Sequence, residues 1–191
     1  MSDRIYKRLR LKYFIAFIVL NFVPFIFLSA ESPVLTTKIL PRISLEDDKG
    51  SYANGDRWDS AMLQGKITML VYFDPDEKSK GEIFMPTLEA FERDLDYNHF
   101  QILLIVNLKA TWIPDLLIKA AINSQVKSYP QRNYLFDNNS VLVKRWNLDD
   151  NEYNALVIDE ESRVIYSHSG KWEEGEILII DSLIRSHVKR H

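Results

Sequence analysis

The sequence predicts a single α/β domain in which one mixed β-sheet carries helices on both faces. Two nearly uninterrupted apolar runs, Ile67–Phe73 and 101–106, have the composition of strands that are buried on both sides. The segment between them has helical periodicity, which predicts a parallel β-α-β unit. Further along, two apolar runs flank a polar turn and predict an antiparallel hairpin. A β-α-β-α order followed by β-β-α therefore indicates one mixed sheet.

The first thirty residues predict a secretory signal peptide. Positions 1–12 carry five basic residues against one acidic residue, and positions 13–28 carry no charge. We expect cleavage after Ala30 and a periplasmic or secreted mature protein. The apolar run is shorter than the roughly 20 residues that a membrane-spanning helix needs. The alternative is an uncleaved segment, 13–30, that anchors the protein in the inner membrane.

Charge and cysteine content exclude two classes of function. The chain has a formal net charge of −3, and residues 1–30 carry +4, so the remaining 161 residues carry −7. This acidic balance argues against nucleic acid as a partner, because phosphate binding needs clustered Lys and Arg. The chain contains no cysteine, which excludes thiol catalysis and disulfide bonds.

The segment after the predicted cleavage point divides into an N-terminal extension, 31–65, and one domain over 66–191. Within the extension, 38–44 alternates loosely in polarity and 47–50 has the composition of a turn. Residues 58–63 predict a short helix or a turn.

The first helix of the domain is expected to follow a polar loop over 74–80. Ser79 and Glu82 have the spacing of a capping box, so the helix is expected to begin there. Its apolar stripe consists of Phe84, Leu88, Phe91 and Leu95. Pro86 lies past the first turn of this predicted helix and is expected to kink it.

The remaining elements follow the second strand. A second helix is predicted over 114–124, with Leu117, Ala120 and Ala121 on one side. After it we predict a short strand over 134–136, a turn over 137–139, a helical or irregular piece over 141–148, hairpin strands over 155–158 and 163–167, and a last helix over 174–187.

Particular motifs accompany this order of elements. Val71-Tyr72-Phe73 precedes a polar loop and then Met85-Pro86, and 156–159 is followed by Arg163-Val164. This arrangement resembles the thioredoxin superfamily over about 38–188, which implies a three-layer thioredoxin-like fold. Within the superfamily the chain is most similar to the YtfJ-like group of exported proteins of unknown function. That similarity rests on the signal peptide, Tyr129-Pro130, Phe136-Asp137, 146–149 and the hairpin beyond.

The resemblance implies where redox residues should lie, and the chain lacks them there. The two cysteines of thioredoxins correspond to Lys78 and Gly81, and the reactive cysteine of peroxiredoxins corresponds to Glu82. None of these side chains can supply a thiolate. The cis-proline of the superfamily corresponds to Tyr153. We expect a trans bond there, since a non-proline cis bond costs about 3 kcal/mol.

The former active-site corner provides the candidate binding surface. Its members are Asp76, Lys78, Ser79, Lys80 and Tyr153. The N-terminus of a helix offers unpaired N–H groups to an anion or a peptide carbonyl, and the two lysines would add to this attraction. The alternative is a solvated turn in which Ser79 only caps the helix.

We assign no metal, no cofactor and no catalytic residue. Asp74, Asp76 and Glu77 have the chemistry of calcium or magnesium ligands, but their spacing matches no known loop. A second acidic run over 149–152 is expected to be an exposed turn. The histidines, His99, His168, His187 and His191, lack the paired spacing of zinc ligands. The tryptophans are expected in the core or at its rim, and the alternative is an aromatic ligand surface; they are Trp58, Trp112, Trp146 and Trp172.

Three functions remain open. The leading hypothesis is a non-catalytic exported module that binds a protein or a peptide through the candidate surface. A non-thiol enzyme or ligand-binding site that uses a carboxylate or Lys78 is the second, and it predicts a pocket that holds a charged group with a strongly perturbed pKa. The third is a structural or assembly factor of the cell envelope, which predicts an exposed apolar patch away from the 74–80 loop.

Overall fold

The computed structural model describes residues 38–188. The predicted signal peptide and His191 lie outside the described residues. Within 38–188, no helix combines the length and the apolar character needed to cross a membrane.

Nine strands and four α-helices are found between residues 38 and 188. The strands are β1 (Lys38–Ile39), β2 (Ser44–Leu45), β3 (Gly50–Tyr52), β4 (Trp58–Asp59), β5 (Ile67–Phe73), β6 (Phe100–Asn107), β7 (Asn133–Asp137), β8 (Tyr153–Ile158) and β9 (Arg163–Ser169). The helices are α1 (Met85–Asp94), α2 (Asp115–Ser128), α3 (Val141–Trp146) and α4 (Glu174–Val188). Short 3-10 helices cover Asp47–Lys49, Ser60–Leu63 and Leu108–Ala110, and a longer one covers Pro75–Phe84.

Seven of the strands form one mixed sheet in the order β1-β9-β8-β5-β6-β7-β3, and β2 pairs separately with β4. Strands β5, β6 and β7 are parallel neighbours, and β8 runs antiparallel to both β5 and β9. The prediction of a mixed sheet with an antiparallel hairpin is confirmed. At its carboxyl end β5 pairs Phe73 with Val106 on one side and with Tyr153 on the other.

Alternate residues of the central strands enter two separate cores, as the two-residue period of a strand requires. On one face, Met69 and Val71 pack with side chains from α1 and α4, and partly buried residues of α2 pack against the same core. On the other face, Leu70 and Tyr72 pack with α3 and with the N-terminal extension. Helices therefore cover both faces of the sheet, as predicted.

The N-terminal extension completes the sheet and covers one of its faces. Its strands β1 and β3 form the two outer edges of the sheet. Trp58 of the extension packs edge-to-face on Trp146 of α3, with 6.0 Å between the ring centroids. Trp58, Trp146 and Trp172 lie in the core, as predicted, whereas Trp112 is 85% exposed.

The start of the first helix differs from the prediction. The chain forms the ten-residue 3-10 helix Pro75–Phe84, here called the 3-10 segment, before α1 begins at Met85. Ser79 lies in the middle of this segment, and the side chain of Asp74, which precedes it, makes no capping bond. The predicted capping box is therefore wrong. Pro86 occupies the first turn of α1, where its missing N–H leaves no bond unmade, so it begins the α-helix rather than kinking it.

The side of α2 that packs against the sheet is not the predicted one. Ile118 is buried in it, and Ile122 and Val126, at intervals of four residues, pack against the core. The predicted side that holds Leu117 and Ala121 is open, and Leu117 is 60% exposed. Ile118, Ile122 and Val126 together offer more apolar surface than Leu117 and the two alanines do, so this side of α2 is the one that packs against the core.

Candidate functional site

A cavity of about 330 Å³ opens at the carboxyl end of β5. The 3-10 segment and the first turn of α1 form one wall, α2 forms the opposite wall, and the sheet forms the floor. The floor consists of Phe73, Leu104, Tyr134 and Tyr153, and the walls consist of Lys78, Gly81, Glu82, Met85, Ala121, Ile122 and Gln125. Arg132 closes one end. Most of this lining is apolar, with a few polar groups at the rim and the end, which is the usual composition of a ligand pocket.

Gly81 and Tyr153 are in direct contact at one side of the cavity. A Cβ atom added to Gly81 would overlap the ring of Tyr153. The ring itself is 5% exposed and stacks on Phe73, with 5.7 Å between the centroids. Burial raises the pKa of the Tyr153 hydroxyl. The Glu152–Tyr153 bond is trans, as predicted, and so is every other peptide bond between residues 38 and 188.

An ion pair between Arg132 and Glu92 fixes the far end of the cavity. The Arg132 side chain is 1% exposed, and its Nε and Nη2 donate to the two Glu92 carboxylate oxygens at 2.6 and 2.9 Å. The guanidinium also lies 3.8 Å from the centre of the Tyr129 ring. A buried guanidinium needs such partners, because leaving it unpaired would cost several kcal/mol. The pair therefore holds β7 to α1 and gives the cavity a fixed end.

The hydroxyl of Tyr134 is a polar group of the cavity floor without a partner. The residue is 4% exposed, and its oxygen makes no hydrogen bond of good geometry with another described residue. Burial raises the pKa of Tyr134, and both the charge of Arg132 and its weak hydrogen bond to the hydroxyl oppose this shift. An unpaired buried hydroxyl costs free energy, so an occupant of the cavity that bonded to it would gain from that bond.

The candidate binding surface divides between the cavity and its surroundings. Lys78 and Tyr153 line the cavity. Asp76 accepts a hydrogen bond from the Thr111 hydroxyl at 3.0 Å, which ties the 3-10 segment to the loop before α2. Ser79 is exposed. The structure thus brings two of the five predicted residues together in the cavity.

Lys80 makes ion pairs that hold the 3-10 segment in place. Its ammonium group lies 2.8 Å from a Glu77 carboxylate oxygen and 2.6 Å from one of Glu152. These partners raise the pKa of Lys80, the Glu152 bond most. Because Glu152 precedes Tyr153, this bridge couples the 3-10 segment to the other side of the cavity.

A buried carboxyl group lies at the joint between β5 and the 3-10 segment. Asp74 is 2% exposed, and neither of its carboxylate oxygens accepts a hydrogen bond of good geometry from a described residue. Burial raises the pKa of Asp74 to about 6; weak hydrogen bonds from the Asn107 amide and the Asn151 N–H oppose this shift, and the charge of Asp150 adds to it. The backbone of Asp74 joins both sides of the site, since its N–H donates to Glu152 at 3.4 Å and its carbonyl accepts from Glu77 at 2.9 Å.

The two acidic runs, 74–77 and 149–152, come together at this joint. Asp74 donates its backbone N–H to Glu152, and Lys80 pairs with both Glu77 and Glu152. Across residues 38–188, however, no three His, Cys, Asp or Glu side chains come together in a way that could hold a metal ion. His168 instead pairs with Glu176 at 2.8 Å and packs on Trp172.

Comparison with known proteins gives the chain a family. The model of a family described as bacterial proteins of unknown function (YtfJ_HI0045) matches residues 28–187. The chain belongs to this family. One relative of this chain is the uncharacterized protein YtfJ of Escherichia coli, which is 26% identical over 149 residues, covering 76% of this chain and 78% of the relative. The resemblance to the YtfJ-like group is therefore confirmed.

Solved structures similar to this family member are thioredoxin-like. A thiol-disulfide isomerase from Corynebacterium glutamicum superposes with a TM-score of 0.58 at 13% identity, over 78% of this chain and 96% of that one. The thioredoxin domain of a thiol-disulfide oxidoreductase from Bacteroides vulgatus gives 0.56 at 15% identity, over 79% and 99%. A thiol peroxidase from Chromobacterium violaceum gives 0.56 at 15% identity, over 79% and 86%. Identities this low establish the fold alone, and the predicted thioredoxin-like fold is confirmed.

Sequence reasoning missed the polar residues that shape the cavity. Arg132 and Glu92 are forty positions apart, and no local pattern links them. One signal was present: Glu92 follows Leu88 by one helical turn, which places a charge at the edge of the apolar stripe of α1. A charge at that position predicts a cationic partner from another element.

Proposed function

We propose that this chain is an exported, non-catalytic module that binds a protein or peptide segment by receiving one of its apolar side chains in the cavity. The observation that carries the proposal is the open, largely apolar cavity at the corner where Lys78 and Gly81 replace the thioredoxin cysteines. Export rests on the composition of residues 1–30.

The dimensions and lining of the cavity suit one aromatic or aliphatic side chain. A volume of about 330 Å³ lies at the lower end of the range for small-molecule pockets. Phe73, Leu104 and Ile122 supply apolar contacts, and the free hydroxyl of Tyr134 supplies one polar partner. Apolar burial of this kind gives about 1.5–3 kcal/mol for a fully buried side chain, enough for one anchor of a larger interface.

The surroundings of the cavity support a macromolecular partner. Leu117 lies one helical turn before Ala121 of the cavity wall and is 60% exposed, and Leu116 and Trp112 are 78% and 85% exposed. The loop that carries Trp112 is bonded to the 3-10 segment through Thr111. This apolar surface therefore adjoins the 74–80 loop, which supports binding at this corner.

The buried ionisable groups of the cavity are poorly suited to proton transfer. Arg132, Tyr134 and Tyr153 all have pKa values raised from ordinary values that already lie well above neutrality. A catalytic acid or base works best with a pKa near the working pH. Asp74, whose pKa is near 6, is not among the residues that line the cavity.

Two phenylalanine substitutions on adjacent residues of α2 test the proposal. Ala121 lines the cavity and Ala120 does not, and both are exposed. Peptides are first selected from a random displayed library on the wild-type protein, and their dissociation constants are then measured for Ala121→Phe and Ala120→Phe. We expect Ala121→Phe to weaken binding at least tenfold because it fills the cavity, and Ala120→Phe to leave binding unchanged. Selected peptides that bind Ala121→Phe as tightly as wild type would refute the proposal.

A further inference from the structure

A second depression, of about 280 Å³, lies between the same two helices as the cavity. Glu89, Glu92 and Arg93 of α1 line one side, and Ser128 of α2 and the following Tyr129 line the other. Arg132 borders the cavity and its partner Glu92 borders the second depression. The buried ion pair is therefore the partition between two parts of one groove.

The two walls of this groove differ in charge. The wall on the α1 side carries Lys78 and Glu82 at the cavity and Glu89 and Arg93 at the second depression, whereas the α2 side contributes Ala121, Gln125 and Ser128. Arg132 neutralises Glu92, and Arg93 is paired with Asp94. The charges of the groove therefore lie on one wall, and Glu89 is the carboxylate of the second depression that makes no ion pair with a residue between 38 and 188.

Two of these carboxylates have no cation bound to them. Glu89 accepts a hydrogen bond from the Tyr129 hydroxyl at 2.9 Å, which fixes its position, and it makes no ion pair with a residue between 38 and 188. Glu82 likewise makes none within that range. Arg93, the neighbouring cation, is already paired with Asp94 at 3.0 Å.

The geometry points to a partner segment that alternates an apolar side chain with a basic one. This inference rests on the proposed function and names the chemistry of its ligand: an extended segment in which a Phe- or Leu-like residue and a Lys or Arg are separated by one residue. The apolar side chain enters the cavity, and the cation lies against Glu89.

The spacing follows from the dimensions of the two chains. Met85 of the cavity wall and Glu89 are four residues apart on α1, which is a rise of about 6 Å. Side chains two residues apart in an extended segment point the same way and are about 6.6 Å apart. In an extended segment, an alternation of one residue in two matches this distance. The net charge of −7 on residues 31–191 adds a general attraction for a basic partner.

Matched peptides and two glutamate variants test this selectivity. The probes are ten-residue Gly/Ser peptides that contain Phe-Ser-Arg, Arg-Ser-Phe, or the same sequences with Gln in place of Arg, and affinity for the full chain is measured by calorimetry. Glu89→Gln removes the proposed contact. The control Glu161→Gln removes one negative charge in the β8–β9 turn, beside Gly65 and at the opposite end of β5 from the cavity.

We expect one of the two arginine peptides to bind three- to fivefold more tightly than its glutamine counterpart, because an exposed ion pair supplies no more than about this factor. The difference should shrink at high salt, vanish in Glu89→Gln and persist in Glu161→Gln. Equal affinity of arginine and glutamine peptides, or a difference that survives Glu89→Gln, overturns the inference. If both peptides bind equally and Ala121→Phe blocks both, the inference fails and the proposed function stands. If neither binds, the inference fails, and the proposed function is decided by the selected peptides and Ala121→Phe.

Discussion

Replacing Asp74 by Asn should stabilise this protein at neutral pH, contrary to the usual effect of removing a buried polar group. Ionised Asp74 is a charge in a site that is 2% exposed, and it accepts no hydrogen bond of good geometry from a described residue. Asn keeps the shape of the side chain, carries no charge and still offers an oxygen to the Asn107 amide. The substitution therefore removes a desolvation penalty that outweighs the weak contacts of Asp74 with the Asn107 amide and the Asn151 N–H.

The pKa of Asp74 sets the magnitude and the pH range of this effect. It rises from 3.8 in the unfolded chain to about 6 in the folded protein. About two pKa units at 1.36 kcal/mol each give about 3 kcal/mol. Because the folded state holds the proton more tightly, the stability contributed by this group is fully present below about pH 4 and is lost as the pH rises through about 6. The Asn variant should thus equal wild type near pH 4 and exceed it by up to about 3 kcal/mol at pH 7.5.

Urea unfolding followed by tryptophan fluorescence measures the difference, since Trp58, Trp146 and Trp172 are all buried. Taking the variant minus wild type at each pH between 4 and 8 cancels the contributions of the other titrating groups.

Asp159→Asn is the matched control, because Asp159 is 3% exposed but accepts bonds from Arg163 Nε at 2.7 Å and from two backbone N–H groups. That variant should be less stable than wild type by about 1–3 kcal/mol at pH 7.5. If Asp74→Asn is also less stable at pH 7.5, or if its difference from wild type does not grow between pH 4 and 7, the reasoning about Asp74 is wrong.

Two further changes test the site and the predicted export. Gly81→Ala should destabilise the fold by about 1–3 kcal/mol because its Cβ meets the Tyr153 ring. In urea unfolding, the double variant Gly81→Ala with Tyr153→Ala should lose less stability than the sum of the losses in the two single variants. Strict additivity would contradict the contact. Mass analysis of the chain recovered from the exporting cell should give a protein that begins at Glu31; a full-length mass would instead favour the membrane anchor.

The central strands and the hairpin were predictable because each is a single apolar run of sequence, whereas β3 and β4 were not predicted, since 47–50 has the composition of a turn and 58–63 predicts a short helix or a turn. Ile67–Phe73 matches the structure residue for residue, and the hairpin differs only in the length of its strands. Helix α2 shows where such reasoning stops. The sequence of α2 has two apolar sides, one around Leu117 and one around Ile118. Which of them is buried depends on how the helix packs on the sheet. The side left open is the one that borders the cavity.

The cavity itself could not be predicted, since its residues come from seven elements and share no sequence pattern. Resemblance supplied Lys78, Gly81 and Tyr153 as positions, but not the space between the 3-10 segment and α2. Nor could local reasoning anticipate the 3-10 segment. A serine followed three residues later by a glutamate has the spacing of a capping box in any context, and here the position of Pro86 decides where the α-helix begins.

The contact between Gly81 and Tyr153 explains why the missing cysteines cannot simply be put back. By the resemblance to thioredoxins, position 81 is that of the second cysteine and Tyr153 lies near that of the cis-proline, and here the tyrosine ring occupies the space that a side chain at position 81 would need. A cysteine at position 81 would therefore have to displace a ring that is 5% exposed and stacked on Phe73. The same ring forms part of the cavity floor. A variant with cysteines at positions 78 and 81 would therefore also need a smaller residue at position 153, and that change would alter the floor of the proposed binding site.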